Sequence, residues 1–259
     1  NMMFWVRGDR SDFDGWRDQG CEGWGYQDVL PYFERAETFA GGPAPRRGTA
    51  GPVGVNRVGI QLEAIDDFLS AAAEAGHVPN PDYNGERQQG VSVAQVSQRR
   101  GFRCSTARAY LAPARRRPNL TIRTGAYATR VLFQGDRAVG VEYRHGKGTE
   151  RAGAGREVIL SAGSLVSPKL LMLSGIGPAD HLAGLGIGVR VDAPQVGGNL
   201  QEHAYAMMRF RTQAGTLREE LVPWRAARHA VDFALRGRGA ITVAGGAAVV
   251  FSQLGGDWP

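Results

Sequence analysis

Val158-Ile-Leu-Ser-Ala-Gly-Ser-Leu-Val-Ser-Pro-Lys-Leu-Leu-Met-Leu-Ser-Gly-Ile-Gly-Pro178 is the stretch on which the reading of the fold turns. Val158, Ile159 and Leu160 make a short apolar run suited to a strand covered on both faces. Ala162-Gly163 ends the run with almost no side chain, so another backbone or a ligand can come close. Ser167 suits an N-cap, and Pro168 suits the first helical position, where its missing N–H costs nothing. Gly175 suits the left-handed residue that closes a helix, and Pro178 blocks any resumption. Strand, small-residue pair and new helix are the parts of a nucleotide site at the carboxyl edge of an α/β sheet. Many α/β proteins hold the same junction without a ligand, so on spacing alone both readings stand.

Composition narrows the class. The chain has 259 residues, enough for one large domain or two modest ones, with 42% hydrophobic and 22% charged residues, as in an ordinary water-soluble globular protein. No apolar run approaches the roughly 18 residues that span a bilayer, and no charged-then-apolar leader is present. A cytoplasmic protein is the default expectation. Net charge is +6, and only Lys147 and Lys169 are lysines among the 31 basic residues. Arg115-Arg116-Arg117 is read as a solvated loop, with no nucleic-acid module beside it, so no nucleic-acid partner is expected. Cys21 and Cys104 build neither a disulfide framework nor a metal site, and the five histidines show no metal spacing. Cys104 is read as a small packed residue rather than a nucleophile.

Along the chain, 9–25 reads as an ordered, aromatic-bearing loop and 28–38 as a helix; 40–54 reads as a mobile Gly/Pro/Arg-rich surface loop. Residues 61–75 carry the clearest helical stripe, Leu62, Ile65, Leu69 and Ala72, closed by Gly76. A helix of one to two turns is expected over 105–111. From Asn119 the period becomes two: 120–122, 128–133 and 138–143 read as strands, the last two joined by a hairpin turn at Gln134-Gly135-Asp136-Arg137. A Gly-rich excursion follows at 145–155. A short helix over 180–185, strands over 189–191 and 205–212, a helix over 224–235 and a strand over 247–251 complete the reading.

The full string of the opening motif, Gly163-Ser164-Leu165-Val166-Ser167-Pro168 running into Ser174-Gly175-Ile176-Gly177-Pro178, resembles the second signature of the glucose–methanol–choline (GMC) flavoprotein oxidoreductases. Asn1-Met2-Met3-Phe4-Trp5-Val6-Arg7-Gly8 is similar to the end of the family's first signature. Gly23-Trp24-Gly25-Tyr26 through Leu30-Pro31-Tyr32-Phe33 is similar to its aromatic block, where packing is the expected role. Asp82-Tyr83-Asn84-Gly85 and Arg103-Cys104-Ser105-Thr106-Ala107-Arg108-Ala109-Tyr110-Leu111 resemble the choline dehydrogenase-like branch. Arg103 and Arg108 either border the active-site region or serve as salt-bridge partners, the second being favoured. Asn199-Leu200-Gln201-Glu202-His203 matches the family's Asn-Leu-Gln-Asp-His with Glu in place of Asp; His203 is read as structural or supporting rather than as an acid–base group.

The resemblance implies a mixed α/β (α+β) fold: a partial FAD-binding Rossmann-like domain with a β-meander, and the start of an antiparallel-sheet substrate domain. Residues 1–203, with insertions over 9–118, would form the first and 204–259 the second. It implies FAD as cofactor, contacted by Asn1, Met2 and Met3 along the flavin and by Arg130, Val131, Ala162 and Gly163 around the adenosine, Val131 through its backbone. It implies oxidation of a CH–OH donor by hydride transfer to flavin, a small-molecule alcohol as substrate, and room for a homo-oligomer. The catalytic histidine is expected beyond Pro259 and the Gly-x-Gly-x-x-Gly helix before Asn1. The chain is therefore expected to be an interior fragment that neither holds FAD tightly nor turns over alcohol by itself. A hydroxynitrile-lyase-like member of the family and a non-catalytic truncated remnant are the alternatives.

Overall fold

The computed structural model describes residues 2–213, 215–243 and 245–253. In chain order the elements are α1 (Arg10–Asp18), α2 (Tyr26–Ala36), β1 (Glu37–Phe39), β2 (Val53–Arg57), α3 (Glu63–Glu74), β3 (Gly90–Val93), β4 (Gln95–Arg99) and β5 (Phe102–Arg103). A π-helical turn over Ala107–Leu111 runs into α4 (Ala112–Ala114). Then come β6 (Ala126–Gln134), β7 (Arg137–His145), β8 (Gly148–Gly153), α5 (Gly163–Leu173), β9 (Ile176–Gly177), α6 (Ala179–Gly184), β10 (Val191–Asp192), α7 (Leu217–Glu220), α8 (Pro223–Arg236) and β11 (Ala248–Phe251). The class is mixed α/β, as the sequence implies. The chain divides into two compact units: Asn1–Leu120 with Phe210–Pro259, and Thr121–Arg209.

The first unit is built on a four-stranded sheet in the order β1-β2-β4-β5, with β1 and β2 parallel and the other pairs antiparallel. A separate antiparallel pair joins β3 to β11. Phe13, Tyr26 and Leu30 pack together from α1 and α2, with Phe33 against them, which is the packing role expected of the aromatic block. Segment 9–25 is not all loop. The side chain of Asp9 accepts from Ser11 N at 3.0 Å while Asp12 Oδ2 accepts from Asp9 N at 3.0 Å, a reciprocal cap that starts α1.

Nor is 40–54 a mobile surface loop throughout. Glu37, fully buried at the start of β1, accepts from Arg7 Nη2 at 2.7 Å, Arg47 Nε at 2.7 Å, Trp5 Nε1 at 2.7 Å and Gly48 N at 3.0 Å. Arg47, equally inaccessible, also reaches Asp82 Oδ1 at 2.6 Å and Gln95 Oε1 at 2.9 Å, and lies over the Phe39 ring at 3.7 Å. Two arginines and two carboxylates thus close a buried, charge-balanced network, the condition under which charges tolerate burial. The loop reaches that position because a Cβ at Gly48 would fall 1.9 Å from the Glu34 carbonyl oxygen and one at Gly51 would fall 2.3 Å from Ala36 C.

In the second unit β6, β7 and β8 form an antiparallel meander, and β9 pairs in parallel with β10. The hairpin at Gln134-Gly135-Asp136-Arg137 forms as expected. The excursion 145–155 is a second hairpin, because Gly146 at φ +59° lets His145 face Gly148 across a two-residue turn.

Four further expectations require correction. Val158–Leu160 pairs with no strand among the described residues, and Ile159 is 75% exposed; an apolar run sets a preference for burial but does not supply a ladder partner. Helix α5 begins at Gly163, one turn before Ser167-Pro168; Ser167 Oγ accepts from Ala162 N at 3.0 Å, and Pro168 sits inside the helix. The proline is tolerated there because the carbonyl its absent N–H would serve belongs to exposed Ser164, within reach of water. Tyr205–Thr212 has no regular structure, with Tyr205 and Phe210 84% and 85% exposed, so its alternation meets no covering layer. Residues 120–122 also form no strand.

Replacing Glu37 by Gln is expected to cost about 3–5 kcal/mol, because two buried guanidiniums lose their shared counter-charge. A urea titration with unchanged slope and a lowered midpoint is the expected result.

Candidate functional site

The candidate site lies on the outer edge of β6. Across the ladder to β7, Arg130 stands opposite Glu142 and Val131 opposite Val141, with irregularities on either side of this short run. Val131 N does not serve that ladder; it donates to Ser174 Oγ at 2.9 Å. In an antiparallel pair, a residue whose N–H turns away from its partner turns its carbonyl away too. The Val131 carbonyl is therefore directed to the same outer edge.

Ser174 caps the end of α5 and donates its own proton to the Leu170 carbonyl at 2.6 Å. Val131, Leu170 and Ser174 are all buried, so this relay is the anchorage of the strand edge to the helix. The chain then turns at Gly175, φ +85°, whose carbonyl accepts from Arg190 N at 2.7 Å and Val191 N at 3.1 Å. A Cβ at Gly175 would fall 2.6 Å from the Gly188 carbonyl oxygen, so both conformation and space demand glycine.

A cavity of about 780 Å³ opens beside this edge, lined by residues 130–133, Asp136, 173–175 and 187–190. That is the size range of small-molecule and cofactor sites. Arg190 lies over the Phe133 ring at 4.6 Å and donates to the Gly135 carbonyl at 2.7 Å, which holds its guanidinium at the rim. Arg130 pairs with Glu142 at 2.9 Å, and Arg151 reaches the same carboxylate at 3.1 Å. The hydrogen bond from Arg130, then the one from Arg151, hold the Glu142 carboxyl below the usual carboxylate range. A strand carbonyl, an arginine-covered ring and two rim guanidiniums fit a planar base with an amino group, attached to an anionic chain. With its N–H committed to Ser174, Val131 offers such a base an acceptor only.

Ala162 and Gly163 lie at the opposite end of α5, about 16 Å away along the helix at 1.5 Å per residue. Gly163 has φ +89°, and nothing lies within 4 Å of a Cβ built there. Its requirement is conformational, not a close approach by this chain.

Met2 and Met3 belong to the other unit, and Asn1 lies outside the described residues. Met3 has φ +66°, an unusual conformation for a side-chain-bearing residue. It is held there by Ser97 N donating to its carbonyl at 2.8 Å and by packing on Val58, Ala94 and Val96. Met2 is 58% exposed, and a Cβ at Gly245 would fall 2.2 Å from its Sδ. Strain held in place by the fold is a mark of candidate functional segments.

Other candidates resolve plainly. Arg103 and Arg108 meet no carboxylate among the described residues; Arg108 instead lies over the Phe102 ring at 4.8 Å and donates to the Arg103 carbonyl at 3.4 Å. Cys104 is buried, with Sγ accepting from Gly54 N at 3.4 Å. His203 is fully exposed and its backbone N donates to Glu202 Oε1 at 2.8 Å. Sequence reading missed Ser174, although Ser-Gly-Ile-Gly-Pro contains it, because a hydroxyl's partner is not set by spacing. It also missed His229, buried on α8, whose Nε2 meets Glu220 Oε2 at 2.8 Å while Nδ1 accepts from Ala240 N at 3.3 Å. That acceptor role for Nδ1 assigns the proton to Nε2. No group of three or more His, Cys, Asp or Glu among the described residues could hold a metal, and no helix there is long and apolar enough to cross a membrane.

Comparison with known proteins follows the same pattern. The GMC oxidoreductase family profile matches residues 1–205. An oxygen-dependent choline dehydrogenase from Brucella suis is 44% identical over 262 aligned positions, covering 100% of this chain and 48% of that protein. The enzyme of the same description from Sinorhizobium medicae is 45% identical over 224, covering 86% and 40%. A FAD-dependent oxidoreductase from Chaetomium thermophilum superposes with a TM-score of 0.84 at 30% identity, over 96% of this chain and 46% of that one. The chain spans about half the length of the curated relatives it matches.

Replacing Ser174 by Ala is expected to cost about 1–3 kcal/mol, since the buried Val131 N–H loses its acceptor. Ser174→Thr, which keeps the hydroxyl, should lose less. Equal urea midpoints for Ser174→Ala and the parent would show that the edge does not depend on this bond.

Proposed function

The chain belongs to the GMC oxidoreductase family, and from that premise we propose that it is the part of a FAD-dependent alcohol oxidoreductase that seats the adenosine half of the cofactor and borders the flavin. The observation that carries the reading is the outer edge of β6, where Val131 is anchored by Ser174 beside a cavity of about 780 Å³. The substrate we propose is a small CH–OH donor of the choline class, after the similarity to oxygen-dependent choline dehydrogenases. A cytoplasmic location, a homo-oligomeric assembly and the functional division at 203/204 belong to the same proposal.

When bound, the flavin supplies the acceptor for the hydride and the protein supplies orientation and electrostatics. In this reading the Val131 carbonyl accepts from the amino group of the base. Ser174, by holding Val131 N, fixes the edge in place and leaves the base one polar contact there instead of two. Arg130 and Arg190 stand at the rim, where guanidiniums oppose the charge of a diphosphate; Glu142, opposite on β7, holds Arg130 across the ladder. Ala162-Gly163 meets a different part of the cofactor, on exposed backbone at the far end of α5. Met2 and Met3, with Asn1, form the flavin-side segment, the left-handed turn at Met3 setting its path.

Purified as the complete gene product, the protein is expected to carry stoichiometric FAD, and anaerobic choline is expected to bleach its visible spectrum. A colourless protein that releases no flavin on denaturation overturns the cofactor assignment. Flavin that stays oxidised with choline, while another alcohol bleaches it, overturns only the substrate class.

A further inference from the structure

In the first unit the segment over 3–5 lies along β4. Ser97 N donates to the Met3 carbonyl at 2.8 Å, Phe4 faces Val96 in an antiparallel bridge, and Trp5 N donates to the Gln95 carbonyl at 2.9 Å. An antiparallel ladder would close at this pair with the return bond, from Gln95 N to the Trp5 carbonyl. That bond is not made. Gln95 N donates instead to the Tyr83 hydroxyl at 2.6 Å, and the Trp5 carbonyl accepts from Asn84 Nδ2 at 2.8 Å. Two side chains of the string Asp82-Tyr83-Asn84 thus take the two halves of the missing bond.

Asn84 also reaches one step further along the segment. Its Oδ1 accepts from Arg7 N at 2.9 Å, so one carboxamide serves a carbonyl and the N–H two residues on, as a neighbouring strand's peptide does. Both partners are backbone groups with fixed roles, and they assign the orientation of the amide. Nδ2 donates as well to Gln95 Oε1 at 3.0 Å, an oxygen that accepts from Arg47 Nη1 at 2.9 Å. Asn84 N donates to Asp82 Oδ1 at 3.2 Å, and that oxygen accepts from Gln95 Nε2 at 2.9 Å and Arg47 Nη1 at 2.6 Å. Asn84 is buried, so bulk water does not stand in for these partners. Among side chains of its length only asparagine carries an acceptor and a donor in one plane; aspartate lacks the donor and leucine lacks both.

We propose that Asn84 is a positioning residue for the flavin-side segment: by clamping Trp5 and Arg7 it sets where Met2 and Met3 lie against the cofactor. The inference rests on the flavin reading given above. Met3 holds φ +66°, a conformation that an unrestrained side-chain-bearing residue leaves. Ser97 fixes the Met3 carbonyl from β4, and Asn84 fixes the chain two residues further on. The unfavourable turn is therefore held by the strand at one point and by the clamp at the next. Releasing the clamp lets backbone dipoles beside the flavin move, and such groups tune its electronics.

The test uses the complete gene product carrying Asn84→Ala, with two readouts. In hydrogen exchange, peptides covering 3–8 are expected to exchange about tenfold faster than in the parent, with those covering 138–145 unchanged. Flavin that stays bound is expected to show a shifted visible absorption. Its bleaching by anaerobic choline, per bound flavin, should slow by up to about 100-fold. A role in stability alone would lower the unfolding midpoint and the flavin content, yet leave absorption and rate per flavin as in the parent; that outcome overturns the proposal. Unchanged exchange over 3–8 overturns it too. If Asn84→Ala does not fold, Asn84→Ser, whose hydroxyl is too short to span both backbone groups, is read in the same way. Where choline does not bleach the parent, the absorption shift decides. A parent protein without flavin overturns the flavin reading and this inference with it, while exchange over 3–8 still shows whether the clamp exists.

Discussion

The buried carboxylate of Glu37 is the interaction on which the first unit depends. It stands at the junction of α2 and β1 and gathers donors from two segments, Trp5 with Arg7 and Arg47 with Gly48, and Arg47 in turn donates to Asp82. A lone carboxylate in that position would be prohibitively costly, and two unpaired guanidiniums would be worse. Together they make an arrangement in which each charge specifies where the others must be. Replacing the whole set by apolar residues could be neutral for stability, so its contribution is to define the path of the chain. Gly48 and Gly51 let the loop descend far enough to deliver Arg47.

The second unit solves a different problem. A meander of three strands leaves one edge of β6 without a ladder partner, and an open edge invites unwanted pairing. Ser174 covers that edge at Val131 with one hydroxyl while returning its own proton to Leu170. The turn at Gly175 then leads the chain back to pair β9 with β10. The strand edge, the helix end and the glycine turn are consequently one device, and the cavity beside them is shaped by all three.

Much of this was legible. The hairpin 134–137, the helices near 61–75 and 224–235, and the left-handed Gly175 follow from periodicity and turn chemistry, which act over a few residues. The family was legible because several signature strings fall in the right order. Illegible were α1, whose capping box of two aspartates looked like a polar loop, and the lack of any ladder partner for Val158–Leu160, which an apolar run does not reveal. Arg47 looked like a solvated loop residue, since nothing in Pro-Arg-Arg-Gly shows that Glu37 lies across from it.

The amino-acid sequence by itself determined the class of the fold, the family, and which short strings carry a cofactor-type chemistry, because these depend on local spacing and on residue identity. Only the tertiary structure decided that Val131 meets its surroundings as an acceptor with its N–H already taken by Ser174. It alone decided that the Asn84 side chain closes on Trp5 and Arg7. The reason is common to both. Hydrogen-bond partners thirty or more positions apart are chosen by packing, and no periodicity along the chain records them.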